Sequence, residues 1–163
     1  MATTSARYEP KSIKPVLLNA WRVFIALWYL GGSLIHFQCA LHSPQIYVRF
    51  GRAPLYPLIG RLWAALVMPH ITTFALFLAA FELAVVVLLL STGRTVTLAL
   101  TASLLFNLFL VQLGLGYPAT PGSMRDFVAN RLPNILFILV QLPLYWVHFD
   151  RSLPALVRAR IHI

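Results

Sequence analysis

Apolar positions along the chain fall into four long runs, roughly residues 17–41, 68–90, 96–115 and 132–149. Each is close to the ~20 residues that a helix needs to cross a bilayer at ~1.5 Å per residue. The pattern predicts an all-α, polytopic membrane protein: a bundle of four transmembrane helices, with too little chain left over for a soluble domain. Between the first two runs, residues 42–67 carry Pro44, Pro54 and Pro57, which break long helices, and Tyr47, Phe50, Tyr56 and Trp63, which favour the headgroup layer. This connection is expected to lie along the outer interface. The turn STGRT, starting at Ser91, is short enough to make the second and third spans antiparallel neighbours, and GYPATPGSMRDFVANR before the fourth span reads as an ordered loop or a short surface helix.

Composition agrees with a lipid solvent: 60% of the 163 residues are hydrophobic and only 10% are charged, against about a quarter in ordinary soluble domains. The net charge of +9 does not point to nucleic acid, because the basic residues sit at span ends and in connections rather than on one soluble face. They fit membrane orientation instead. Arg7, Lys11, Lys14, Arg22, Arg94, Arg151, Arg158 and Arg160 share one side, and Arg49, Arg52, Arg61, Arg125 and Arg131 the other, so the positive-inside rule places both termini in the cytoplasm. Residues 1–16 then form a cytoplasmic tail and 150–163 a basic cytoplasmic tail. The first apolar run exceeds the ~7–15-residue core of a signal peptide and is expected to stay as an uncleaved anchor. The single cysteine, Cys39, supports neither a disulfide framework nor a thiolate metal cluster. Whether another kind of metal site exists is left open.

Polar residues inside the spans carry most of the functional information, because an ionisable group at mid-membrane costs at least ~2.5–3.5 kcal/mol on insertion scales. Helical spacing places Glu82 on one stripe with Ala75, Ala79 and Val86, so the carboxylate faces the bundle interior beside small residues that allow close approach. The fourth span has a polar stripe of Asn134, Gln141, Tyr145 and His148, the third offers Ser103, Asn107 and Gly114, and the first Trp28, Gly32, His36 and Cys39. Sorted by depth, Tyr29, Glu82, Asn107 and Gln141 form one candidate layer, in which Glu82 is expected to hydrogen-bond Asn107 or Gln141. A second, outer layer holds His36, His70, Gln112 and Asn134, with Gln38 and Cys39 close by. The inner layer reads either as packing glue or as a polar cavity in which Glu82 meets a bound head group such as a quinone. His36 and His70 are candidate axial ligands of a b-type haem, while His42 and His148 belong at interfaces and His162 in the tail. Motifs of soluble enzymes are missing from the sequence: there is no Cys-x-x-Cys, no phosphate-binding glycine loop and no His-Glu-x-x-His. Catalysis by this chain alone is not expected.

An arginine opening the first span, the segments GGSLIHF and FELAVVVLLLSTGR, and RLPNILFILVQ opening the fourth span occur in an order and spacing that resemble the DoxX-like family of small four-helix membrane proteins, over about residues 22–150. Glu82 and Gly93 match the second-helix pattern, and His36 stands where such proteins often carry a polar or basic residue. The resemblance implies a four-helix bundle associated with membrane redox systems, since members include a subunit of thiosulfate:quinone oxidoreductase and partners of other oxidoreductases. The expectation is a structural or accessory subunit of a larger, quinone-linked redox complex in a bacterial cytoplasmic (inner) membrane, with a quinone or lipid pocket around Glu82 and candidate haem or quinone contacts at His36, His70 and Asn134. A haem- or quinone-binding electron-transfer subunit and a small transporter or proton path through Glu82 are the alternatives. The long first connection and the basic end RSLPALVRARIHI depart from the family pattern.

Overall fold

The computed structural model describes residues 13–161, which are mostly helical with no strand among them. Residues 1–12, His162 and Ile163 lie outside the described residues. Four helices are long and apolar enough to cross a membrane: α1 (Ile13–His42), α2 (Pro57–Leu89), α3 (Gly93–Leu113) and α4 (Met124–Trp146). A short helix, α5 (Leu153–Ile161), follows. The chain is an integral membrane protein. Each helix packs on its chain neighbour, and the bundle closes where Tyr29 of α1 meets Phe137 of α4, ring centroids 5.9 Å apart.

The α1–α2 contact shows why these sequences pair. Ala26 and Ala40 on α1 and Ala75 and Ala79 on α2 are buried, which lets the two backbones approach, and the Ser33 hydroxyl donates to the Ala79 carbonyl at 2.8 Å. The α2 stripe predicted from spacing, Ala75, Ala79, Glu82 and Val86, is the buried face of that helix. On α1 the buried face is rotated by one residue from the expected one. Arg22, Ile25, Ala26, Tyr29, Ser33 and Ala40 turn inward, while Trp28 is 60% exposed and rests its ring against Phe137 at 5.2 Å. The large indole stays on the lipid side, and the smaller Ser33 admits the neighbouring helix.

Helix boundaries differ from the apolar runs at both ends of α2 and α4. Pro57 opens α2 rather than breaking it, as proline does at a first turn where its missing N–H is not needed. Within α2 the Met68 N–H reaches back to the Trp63 carbonyl, a wide turn just before Pro69, and in α4 the Leu132 N–H reaches Phe127, a wide turn just before Pro133. The cause is shared. A proline ring clashes with the carbonyl four residues earlier, and the helix accommodates it by opening one turn. Both wide turns carry residues that matter below, Trp63 on the first and Asn130 with Arg131 on the second.

The connection expected along the interface folds inward. Its Pro44–Arg52 turn buries Tyr47, 2% exposed, against Trp63, 4% exposed, whose indole N–H donates to the Tyr47 carbonyl at 3.0 Å. Phe50 continues the ring cluster between them, 5.8 Å from Tyr47 and 6.1 Å from Trp63. Tyr56 remains exposed, as a headgroup residue would. The segment read as a basic tail also packs back: Leu153 is buried and its N–H bonds Leu90 O at 3.0 Å, while just ahead of that segment Phe149 O accepts from Gly93 N–H at 2.9 Å.

Two arginines counted for orientation are core residues. Arg22 is 0% exposed, its guanidinium 4.6 Å over the Phe149 ring and donating to Ser91 O at 3.3 Å, which ties α1 to the α2–α3 turn. At the opposite end Arg131, 2% exposed, donates to Val111 O at 2.8 Å, Gln112 O at 3.2 Å and Ala53 O, and pairs with buried Asp126 at 3.4 Å. Its planar fork thus covers carbonyls left open where α3 ends at Gly114, whose φ of +82° favours glycine. Asn130 adds a bond to Asp126 at 2.8 Å and a pair of bonds with the Tyr117 backbone, so the 114–131 stretch is ordered by its own polar core.

Candidate functional site

Three of the four residues placed in the inner layer meet through a fourth that was singled out separately. Tyr29 OH lies 2.6 Å from Ser103 Oγ, Asn107 Nδ2 donates to Tyr29 OH at 2.9 Å, and Ser103 Oγ donates to Gln141 Oε1. The remaining amide donors are used locally, Asn107 on Ser103 O at 2.8 Å and Gln141 on Phe137 O at 2.9 Å. This closed network joins α1, α3 and α4 and is packing glue. Tyr29→Phe removes the hydroxyl that serves two of its bonds, and we expect about 1–2 kcal/mol of destabilisation, given ~0.6–1.7 kcal/mol for side-chain hydrogen bonds in membrane bundles. Thermal unfolding in detergent measures it; an unshifted midpoint would show that the network contributes nothing.

Glu82 stands apart from that network. The expected bond to Asn107 or Gln141 is not formed: Asn107 donates to Tyr29 OH and Ser103 O, and Gln141 to Phe137 O. Instead Glu82 Oε1 lies 3.7 Å from His36 Nε2, across the α1–α2 contact, and Glu82 is 5% exposed. His36 Nδ1 in turn meets the Tyr47 hydroxyl, and the two rings stack with centroids 5.7 Å apart. Proton positions follow from satisfaction. The buried Tyr47 O–H needs an acceptor, and burial pushes its phenol above the ordinary value, so it stays a neutral donor. His36 Nδ1 is then the acceptor, and a neutral ring carries its hydrogen on Nε2, facing the carboxylate. Glu82 Oε2 has no hydrogen-bond partner among the described residues.

Gly32 makes this placement of Glu82 available. A Cβ at that position would stand 2.5 Å from Oε2 and 2.8 Å from Oε1, closer than real contacts allow. The glycine read from sequence as a small helix-contact residue therefore seats a carboxylate.

His36, Tyr47 and Glu82 form the polar end of a cavity of about 120 Å³, walled by Phe50, Trp63, Phe74, Leu78, Phe106 and Phe109 with Leu110, Leu113 and Leu115. A cavity of about 150 Å³ takes benzene, so this space is on the scale of one six-membered ring. Four of its wall residues, Phe74, Leu78, Phe106 and Phe109, also line a groove of about 460 Å³ between α2 and α3, together with Phe77, Phe81, Ala102 and Leu105. Exposed Phe77 and Leu105 put that groove on the outer surface of the bundle, where lipid lies. The chamber and the groove thus share these four side chains as a common wall, with the groove on the side that faces the bilayer.

The outer-layer residues do not converge. His70 is exposed at the tight turn before Ile71 and does not line the cavity, Asn134 is buried on α4, and the Gln112 carbonyl serves Arg131 and the Leu55 N–H, at 2.9 Å for the latter. Gln38 is exposed and Cys39 partly so, while His148 is exposed and pairs with Asp150 at 3.2 Å. A haem between His36 and His70 does not fit: the chamber holds one small ring, and Nδ1 and Nε2 of His36 face Tyr47 and Glu82. No group of three metal-ligating side chains occurs among the described residues.

No family model, curated protein or solved structure matches the chain. The site is therefore read from its own geometry.

Sequence reasoning found Glu82 and His36 but missed Tyr47 and Trp63, assigned to the interface for their aromatic character. The available signal was proline: Met68-Pro69 marks a helix turn that opens just where Trp63 sits, and a wide turn re-aims side chains toward the interior.

Proposed function

We propose that this chain is a small membrane subunit or partner of a larger redox complex, in the manner of the DoxX-like proteins it resembles, and that its cavity receives the ring of a quinone-type lipid. One observation carries the reading: a ring-sized chamber with a polar end at Glu82 and His36 lies against an apolar groove between α2 and α3, the two sharing Phe74, Leu78, Phe106 and Phe109 as walls. That is the shape of an amphiphile with a compact polar ring and a long apolar tail, entering from the membrane. The walls are mostly aromatic, suited to stacking on a flat ring. The chain itself contributes the pocket, and the partner contributes the electron chemistry. A bacterial inner membrane is the setting this reading supplies.

Tagging the protein in its native membrane, extracting it in mild detergent and analysing both co-purified proteins and extracted lipids by mass spectrometry tests this directly. Stoichiometric redox subunits together with a quinone lipid are expected. Recovery of the chain with neither would count against the accessory role and the ligand alike.

A further inference from the structure

We propose that the end of the bundle carrying the first and third connections holds an anionic phospholipid, its phosphate gripped between Arg52 and Arg61 in a recess of about 400 Å³. This site is separate from the chamber beside Glu82 and does not depend on what that chamber receives.

Gly-Arg occurs at positions 51–52 and again at 60–61, and the fold crosses the two pairs at their glycines. A Cβ on Gly60 would stand 3.0 Å from the Gly51 carbonyl oxygen and 3.0 Å from Pro54 Cγ, so glycine is what lets the first turns of α2 lie this close against the connection. Gly51 rests in turn on Trp63, where a Cβ would stand 3.0 Å from Cδ1 of the indole. The arginine that follows each glycine thereby lines the same recess, and Pro54, Pro57 and Pro121 restrict the backbone around it.

Nothing among the described residues balances these two charges. Arg52 and Arg61 are exposed, and neither is ion-paired. The only carboxylate described at that end, Asp126, is buried and committed to Arg131 and Asn130. Two like charges in one recess repel each other. A phosphate between them removes that repulsion and takes the paired, planar hydrogen bonds that guanidinium groups offer. These arginines also stand on the side that the positive-inside rule makes outer, where cations oppose the orientation of the chain. Their presence there calls for a counter-charge from outside the chain.

Depth and surface identify the source as lipid. At 33 residues α2 is ~50 Å long, at ~1.5 Å per residue, against a hydrocarbon core of ~30 Å, so its first turns stand in the headgroup layer. Exposed Tyr56 marks the same level. From there Leu58, Leu62 and Leu66 recur at helical spacing on the exposed surface of α2, an apolar stripe along which an acyl chain can lie. The net charge of the headgroup matters too. An ammonium-bearing headgroup would bring a third cation toward two guanidinium groups, whereas an uncharged polyol leaves the phosphate charge unopposed.

The test is native mass spectrometry of the full chain released from nanodiscs made of equal parts phosphatidylglycerol and phosphatidylcholine with matched acyl chains. Wild type is expected to retain at least one phosphatidylglycerol per chain, with a preference over phosphatidylcholine of about fivefold or more. Arg52→Gln combined with Arg61→Gln should lose one retained phosphatidylglycerol per chain. Arg49→Gln combined with Arg125→Gln removes as much charge from the same end but outside the recess, and should lose none. Arg52→Lys combined with Arg61→Lys keeps the charge without the planar fork and should lower occupancy at least twofold, which keeps the test available if the first pair does not fold. Equal losses from the two glutamine pairs would mean a diffuse field in place of a site and overturn the inference, as would wild type without a preference or full occupancy in the lysine pair. If the first pair keeps its lipid but loses a protein that co-purifies with wild type from native membranes, an acidic partner segment is the occupant and the lipid assignment is overturned.

Discussion

Replacing Arg131 with alanine is expected to destabilise the bundle by about 3–5 kcal/mol, the range for removing one partner of a buried ion pair. Three carbonyls, those of Ala53, Val111 and Gln112, lose a charged donor at once, and Asp126, 1% exposed, keeps only Asn130 and local backbone donors. The damage should spread, because these carbonyls belong to the first connection and to the end of α3, while Arg131 itself rides on α4. A fall in the unfolding midpoint on the order of 10 °C is expected in detergent. Arg131→Lys should recover little, since an ammonium cannot reproduce a planar fork that serves several acceptors in fixed directions. Asp126→Asn is the informative partner: if it leaves stability near wild type while Arg131→Ala does not, the carbonyls rather than the ion pair are what the arginine holds. A midpoint unchanged by Arg131→Ala would show that this node is not structural.

Gly32→Ala is expected to produce the opposite profile, a large loss of ligand binding with little loss of stability. The added Cβ would fall 2.5 Å from Glu82 Oε2, but that oxygen ends a flexible side chain that can swing aside. The α1–α2 contact is otherwise retained through Ser33 and the buried alanines. Once the Glu82 side chain moves, its polar group leaves the cavity end and the His36 contact is broken, so binding of a decyl-substituted quinone should drop at least tenfold. Adding Glu82→Asp to Gly32→Ala shortens the acid by one methylene and should restore part of the affinity. Calorimetric melting alongside the binding assay separates the two effects. Equal losses of stability and affinity, or no loss of either, would mean that Gly32 does not set the carboxylate.

These two predictions rest on residues that differ in how visible they were beforehand. Glu82 announced itself, because a carboxylate in an apolar run carries a cost that demands a partner, and its spacing from Ala75, Ala79 and Val86 stated which way it faced. Gly32 and His36 were noticed as small and polar positions on α1, yet the pairing of His36 with Glu82 rather than Glu82 with Asn107 was not readable. Depth counting put Glu82 level with the amides, but those amides had nearer acceptors on their own helices. Arg131 and Asp126 looked like surface charges next to a loop. What they bind is main-chain carbonyl and each other, and backbone groups are the same in every sequence.

By itself the sequence determined the solvent of this protein, the number of its spans and the inward face of α2. Each follows from hydropathy and the 3.6-residue period, properties that one helix expresses without help from another. The rotation of α1, the inward fold of the first connection, the docking of the C-terminal segment and the chamber lined by Tyr47 and Trp63 were decided only in the tertiary structure. They depend on proline-opened turns that re-aim particular side chains and on carbonyls exposed where helices end, and a buried arginine or tyrosine goes where such partners happen to meet.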